Sequence, residues 1–325
     1  MKKNKMMRIA SILMVATLIT TCAISGTFAK YVTKVSGEDT ARVAKWGIVL
    51  DVQTTGAFDD RYVTHDETYE GEYSVMAYNA TDEAKGDKLV APGTSSKDLD
   101  MTFVASVKGT PEVATRYTLE GTVTDVVLPA GTYTDYTELV LNDDKTEYGY
   151  TNTFDLAADY APVKWNLVIS GKGQEINVAD ALYAELPAEL IAKAEAYGLT
   201  PNGCSFFDAV TILAKVADND TYVQVVEAAL ANIVSGGSNF VLEADKEAGT
   251  FKLGYDFDPN KAMDFKFELS WAWAFEQKDE NGEVIDLYDK ADTLLGNIAA
   301  EVVEAPEGAS INIGATLTAK AVQID

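Results

Sequence analysis

The sequence predicts a mainly β fold, an antiparallel β-sandwich carrying a small α-helical insertion. Three observations point there. Several stretches alternate apolar and polar residues with period two, turn residues separate them, and one internal region changes to helical spacing.

The period-two stretches come in order along the chain. Ala44, Trp46, Ile48, Leu50 and Val52 share one face of the first. Met101, Phe103, Ala105 and Val107 define a second, and Val163, Trp165, Leu167 and Ile169 a third. Phe251, Leu253, Tyr255 and Phe257 follow, then the strongest run, Phe265, Phe267, Leu269, Trp271, Trp273 and Phe275. The last is Ile311, Ile313, Ala315, Leu317, Ala319 and Ala321. A slip of one residue would put each aromatic or aliphatic set into water, so the registers are well specified. Ala91-Pro92-Gly93-Thr94 reads as a turn, Glu280-Asn281-Gly282-Glu283 as a tight hairpin, and Gly308 as the break before the last strand.

Residues 178–235 are alanine- and leucine-rich. Ala181, Leu182, Leu190, Ile191 and Ala194, then Phe206, Val210, Leu213 and Ala217, then Val225, Val226, Ala229, Leu230 and Ile233 recur at three and four. Asp208 and Asp220 lie near helix starts, and Gly236-Gly237 is a stop. About 55 residues bury little core alone, so this is read as an insert in one body spanning 41–325.

The chain has 325 residues, 51 acidic against 26 basic side chains and a formal charge of -25. Nucleic acid needs a basic face, and an anionic membrane surface repels such a chain, so neither is an expected partner. Two cysteines cannot make a disulfide framework or a cysteine zinc site. One histidine, His65, excludes the paired-histidine metalloprotease helix, and its polar surroundings read as a solvated loop. No nucleophile elbow, phosphate loop or dinucleotide fingerprint is present, and neither catalytic nor metal-binding residues are assigned. No cofactor is expected. The calcium-like Asp279-Glu280-Asn281-Gly282 lacks both end ligands, and Asn142-Asp143-Asp144 and Asp218-Asn219-Asp220 read as solvated turns, which leaves room only for a weak calcium site built from several loops. Trp271 and Trp273 share a face with other large apolar residues and read as core. Tyr133, Tyr136, Tyr148 and Tyr150 are the better candidates for exposed contact with glycan or protein.

The first 29 residues read as a signal peptide. Lys2, Lys3, Lys5 and Arg8 precede an uncharged run from Ile9 to Ile24, and Thr27 and Ala29 fit the -3 and -1 positions of a cleavage site before Lys30. An uncleaved anchor is the alternative. Cys22 follows Thr21, which does not suit a lipidation site. Cleavage leaves Cys204 as the single cysteine, read as a small buried apolar residue. The product is expected to be secreted, without stable membrane insertion and without a wall anchor of its own.

Several segments together resemble one family. Gly26-Thr27-Phe28-Ala29-Lys30-Tyr31-Val32 with Asp39-Thr40-Ala41-Arg42-Val43-Ala44-Lys45-Trp46-Gly47 is similar to the opening of the TasA/camelysin family, Gram-positive biofilm matrix proteins with SipW-dependent signal peptides. Val90-Ala91-Pro92-Gly93-Thr94, Lys108-Gly109-Thr110-Pro111-Glu112-Val113-Ala114, Trp271-Ala272-Trp273-Ala274-Phe275-Glu276 and Asp289-Lys290-Ala291-Asp292-Thr293-Leu294-Leu295-Gly296 add to the likeness. The resemblance implies a jelly-roll-like sandwich and cleavage after Ala29 by a SipW-type signal peptidase. It also implies self-assembly into fibres of the extracellular matrix or cell surface, with segment 30–40 of one copy completing a sheet in the next. On this chain the donor would begin at Lys30 and include Tyr31, Val32 and Val35. An exposed sheet edge accepts an extended peptide on general grounds. The metalloprotease activity described for camelysin is not carried over, because a lone histidine makes no usual zinc site. The expectation is a structural protein rather than an enzyme. A secreted module that binds matrix or host glycans, or host surface proteins, through its tyrosine-rich loops is the alternative.

Overall fold

The structure, a computed structural model, describes residues 44–53, 57–58, 61–65, 74–78, 88–96, 102–141, 148–201, 203–231, 233, 237–274 and 285–324. It is mainly β, with antiparallel sheets and, among the described residues, five helices. In chain order the strands are β1 (Ile48–Gln53), β2 (Arg61–His65), β3 (Ser74–Tyr78), β4 (Phe103–Gly109) and β5 (Thr115–Thr124). Next come β6 (Gly131–Thr134), β7 (Val140–Leu141), β8 (Tyr148–Gly149), β9 (Thr153–Leu156), β10 (Val163–Gly171) and β11 (Gln174–Asn177). The helices α1 (Val178–Ala184), α2 (Ala188–Glu195), α3 (Phe206–Val216) and α4 (Asn219–Leu230) follow. The chain then continues through β12 (Gly237–Asp245), β13 (Thr250–Phe257), β14 (Met263–Trp273), α5 (Asp286–Ala299) and β15 (Gly314–Gln323).

One sheet has the order β1-β4-β14-β10-β11 and another β12-β13-β5-β15. Alternation produces their packing. Ala105 and Val107 of β4, Trp165, Leu167 and Ile169 of β10, and Phe265, Phe267, Leu269 and Trp271 of β14 are all buried on one side of the first sheet. Tyr117 and Leu119 of β5 and Leu253, Tyr255 and Phe257 of β13 are their counterparts on the second. The layers meet ring to ring: Tyr117 stacks on Phe267 at 5.4 Å, and Phe257 lies 5.6 Å from Phe265. The register of the second sheet is pinned from outside by Arg116. Its Nε and Nη2 donate to both carboxylate oxygens of Asp256, directly opposite on β13, at 2.6 and 2.7 Å.

The turns carry their own chemistry. Lys172 and Gly173, both with positive φ, make the two-residue link from β10 to β11, the turn whose twist matches paired strands. Gly93, at φ +82°, completes the turn from Ala91, and the Thr94 N–H donates to the Ala91 carbonyl at 3.1 Å. That turn then pairs with the end of β14: the Trp273 N–H donates to the Thr94 carbonyl and the Ser96 N–H to the Trp271 carbonyl.

Helices α1 to α4 account for the predicted insert. Asn177 caps α1, its side chain accepting from the Ala179 and Asp180 N–H groups, and Asp218 caps α4 through the Thr221 N–H at 2.8 Å. The insert has no core of its own. Phe206 and Phe207 of α3 pack edge-on against Phe251 of β13 at 5.3 and 6.0 Å, which places the insert in the same buried cluster as both sheets. Between them, the helices touch β10 and β11 of the first sheet and β12 of the second.

Some expectations shift. The last strand starts at Gly314, so Ile311 lies before it and is exposed. Ala44 and Trp46 precede β1, which opens after Gly47 at φ +56°. His65 closes β2 rather than lying in a loop. Helix α5 was not anticipated; it buries Ala291, Leu294, Leu295 and Ile298. The Glu280–Glu283 hairpin and Phe275 lie outside the described residues.

Candidate functional site

Four strands end the two large sheets: β1 and β11 in one, β12 and β15 in the other. Unpaired edges are the part of a β protein that can accept another chain, so their protection is informative. On the β11 and β12 side the insert packs against both sheets and takes up one rim carbonyl of β12. α1 packs on β10 and β11, α3 and α4 pack on β12, and the Tyr222 hydroxyl of α4 donates to the Leu242 carbonyl of β12.

The opposite side differs. β1 and β15 approach each other, with Cα atoms within 8 Å, yet belong to separate sheets with no ladder between them. β15 is the longer edge, ten residues without proline or bulge, in unbroken register with β5 from Gly314↔Thr124 to Gln323↔Thr115. Two hydrogen bonds fix which groups face the rim. The Ile324 N–H donates to the Ala114 carbonyl at 3.0 Å, and the Val123 N–H to the Gly249 carbonyl of the β13 side at 2.7 Å. Antiparallel ladders alternate bonded and non-bonded pairs. Even-numbered residues of β15 therefore bond to β5, and the N–H and C=O groups of Ala315, Leu317, Ala319, Ala321 and Gln323 point to the outer rim, where no strand pairs among the described residues. Lys320 is the only charged side chain on the strand, and it is paired with Glu120 at 3.1 Å.

The processing residues Thr27, Ala29 and Lys30 and the donor residues Lys30, Tyr31, Val32 and Val35 lie outside the described residues, as do Asn142–Asp144 and Asp279–Gly282. Trp271 and Trp273 are core residues: Trp271 is stacked on Phe58 at 5.4 Å and its indole N–H donates to the Ala57 carbonyl at 3.0 Å. Of the tyrosines, Tyr133 is structural, its hydroxyl donating to the Pro129 carbonyl at 2.7 Å. Tyr136 packs on Tyr150 at 5.1 Å, and Tyr148 and Tyr150 are exposed. Asp218 is occupied as a helix cap.

Titratable groups inside the body behave as burial dictates. Cys204 is half-buried and burial pushes its thiol up to about 11, with Asp208 adding to the rise. Asp292 on α5 accepts from the Tyr160 hydroxyl at 2.8 Å and from the Trp273 indole N–H at 3.3 Å. Burial nonetheless raises it to about 6, against the pull of those two donors. Asp125 is likewise raised to about 6 by burial. Asp256 moves the other way, held down by the Arg116 hydrogen bonds. Sequence reasoning missed these carboxyls, because nothing local distinguishes an aspartate that tertiary packing will desolvate. Among the described residues no group of three His, Cys, Asp or Glu side chains is arranged to hold a metal ion, and no helix is long and apolar enough to cross a membrane.

Comparison of the chain with protein-family models, with curated proteins and with solved structures gives no match.

Proposed function

We propose that this chain is a secreted structural subunit that joins copies of itself into extracellular matrix fibres by strand complementation. The rim of β15 accepts an extended segment from a neighbouring copy. The observation that carries this reading is the β15 edge, with five rim-facing residues at alternate positions and, among the described residues, no proline, bulge or paired strand on that side. Its one charged side chain, Lys320, is tied to Glu120. Segment 30–40 is the donor, with Tyr31, Val32 and Val35 supplying apolar side chains, released when a SipW-type signal peptidase cuts between Ala29 and Lys30. Such a contact joins two different surfaces and so propagates as an open filament.

A jelly-roll-like winding is part of the proposal. Support for it comes from a two-stranded ribbon that crosses from one layer to the other: β4 pairs with β14 in the first sheet, while β5, next in the chain, pairs with β13 in the second. The chain from Lys30 carries 22 basic against 51 acidic side chains, a formal charge of -29 that keeps subunits apart in dilute buffer, and salt or calcium screens that repulsion. The role assigned is mechanical and involves no turnover.

Electron microscopy and pelleting of the chain beginning at Lys30 test the reading, with a second chain lacking residues 30–36 beside it. Fibres are expected from the first, faster at high salt, and a large delay from the second. Equal assembly of the two overturns donor-strand exchange.

A further inference from the structure

Strands β7 and β8 form a short ribbon with an unusual surface. Val140 pairs with Gly149 and Leu141 with Tyr148. Side chains alternate along each strand and partners share a face, so Leu139, Leu141, Tyr148 and Tyr150 stand together on one side. They are 54%, 38%, 71% and 45% exposed. The main strands turn most of their large apolar residues inward, Val49 of β1 and Val322 of β15 excepted; this short ribbon turns four to solvent together. A contiguous apolar patch on a strongly charged protein marks a binding surface.

The patch is held in place. Asp135, at the base of the ribbon, is buried. It accepts from the Thr137 N–H and hydroxyl, pairs with Lys290 of α5 at 3.0 Å, and its own N–H donates to the Asn152 carbonyl at 2.8 Å. Tyr136 braces Tyr150 from beside it at 5.1 Å. The Tyr150 ring is therefore oriented before any ligand arrives, which lowers the ordering cost of binding.

We propose that this face binds a neutral polysaccharide. Tyr148 and Tyr150 would stack against the apolar C–H faces of successive sugar rings, with their hydroxyls reaching sugar hydroxyls at the rim and Leu139 and Leu141 completing the floor. Area and charge choose the occupant. The four exposed side chains present on the order of a few hundred Å², short of the roughly 800 Å² per partner that a stable protein interface buries. A narrow ligand fits; a second copy of the chain does not suffice. The formal charge of -25 further opposes another copy, nucleic acid or an anionic lipid surface. Residues 131–156 hold one basic side chain, Lys145, which lies outside the described residues, against six acidic ones, a balance that disfavours a uronate or sulfate group. The site is independent of the β15 rim and stands or falls separately from fibre formation.

Affinity electrophoresis of the purified chain tests it. Native gels carry mixed-linkage β-glucan, dextran, galactomannan or, as the anionic case, polygalacturonate, each read against a gel without polysaccharide. Retardation is expected in at least one neutral gel and not with polygalacturonate. The double variant Tyr148→Ala/Tyr150→Ala should lose at least about tenfold in affinity while keeping its circular dichroism spectrum, whereas Tyr197→Ala, at an exposed tyrosine of the insert, should bind like the parent. No retardation in any neutral gel overturns the proposal, as does equal retardation of the double variant. A fall in sedimentation coefficient in the double variant also overturns it, since the face would then be a contact between copies.

Discussion

Replacing Ala319 by proline separates the rim of β15 from the fold that presents it. The N–H of Ala319 points away from β5, so the ladder to β5 loses no donor when proline removes it. Its side chain is half-buried, and the narrowing of φ costs the folded state about 1 kcal/mol. At the rim the change removes one donor and sets the ring where an incoming backbone must lie. Two intermolecular hydrogen bonds at about 1 kcal/mol each are lost. A loss of about 2 kcal/mol raises the critical concentration for assembly roughly 30-fold. Thr318→Pro is the matched opposite. Its N–H bonds to β5 opposite Glu120, so it should lower folding stability by about 2 kcal/mol through the carbonyl left unpaired. Pelleting over a concentration series gives the assembly shift, and urea unfolding gives the stability. Ala319→Pro assembling at the parent's critical concentration with its fold intact would refute the rim argument.

Three further outcomes follow from the packing. Asp292 and Asp125 have folded values near 6 against an ordinary 3.8. Their contribution to stability is full below pH 3.8 and is lost as pH rises through 6. Each loses at most about 3 kcal/mol over that window, and nearer 2 after allowing for partial exposure. Urea midpoints at pH 5 and pH 8 should therefore differ less in Asp292→Asn than in the parent. Lowered Asp256 and Asp135 act below pH 3.8 instead, where acid destabilises. Gly121→Ala would put a Cβ 2.1 Å from the Phe251 ring, which Phe206 and Phe207 hold, and should cost about 1–3 kcal/mol in urea unfolding; Gly314→Ala, with nothing within 4 Å, should cost little. At pH 8 only about one Cys204 in a thousand is thiolate when its value is about 11, so native alkylation by iodoacetamide should run about a hundredfold slower than in urea.

The sequence made the main layers legible wherever one face was uniformly large. Phe265 to Trp273, Val163 to Ile169 and Phe251 to Phe257 are strands for the reason that predicted them. The central strand of the second sheet, β5, escaped that reading. Its inward face includes Thr115 and Gly121, small because the Phe251 ring fills the space above Gly121, a fact of the partner strand rather than of β5. Helix α5 escaped for a different reason. Ala291, Leu294, Leu295 and Ile298 do recur at helical spacing, but Ile285 supplies no side-chain cap and Gly296 interrupts the run. The β7–β8 tyrosines were singled out by residue type alone. That they share a face with Leu139 and Leu141 depends on the pairing register, which two-residue strands do not announce.

The insert explains why the two sides of the molecule differ. Both seams between the layers begin as pairs of edge strands, β11 with β12 and β1 with β15. At the first, the four helices of the insert pack against strands of both sheets and Tyr222 takes up a strand carbonyl. At the second, among the described residues, no element pairs with the outer side of β15. Two open seams per molecule would let sheets grow in two directions and aggregate without limit. One open seam, met by one donor segment, restricts growth to a line. On the assembly proposed here the helical insert is thus a device for one-dimensional order. Deleting its contact at β12, as Tyr222→Phe does for one carbonyl, should change folding stability by about 1 kcal/mol while leaving the critical concentration for assembly unmoved. A shift in that concentration instead would place the growing edge on the insert side and reverse the assignment.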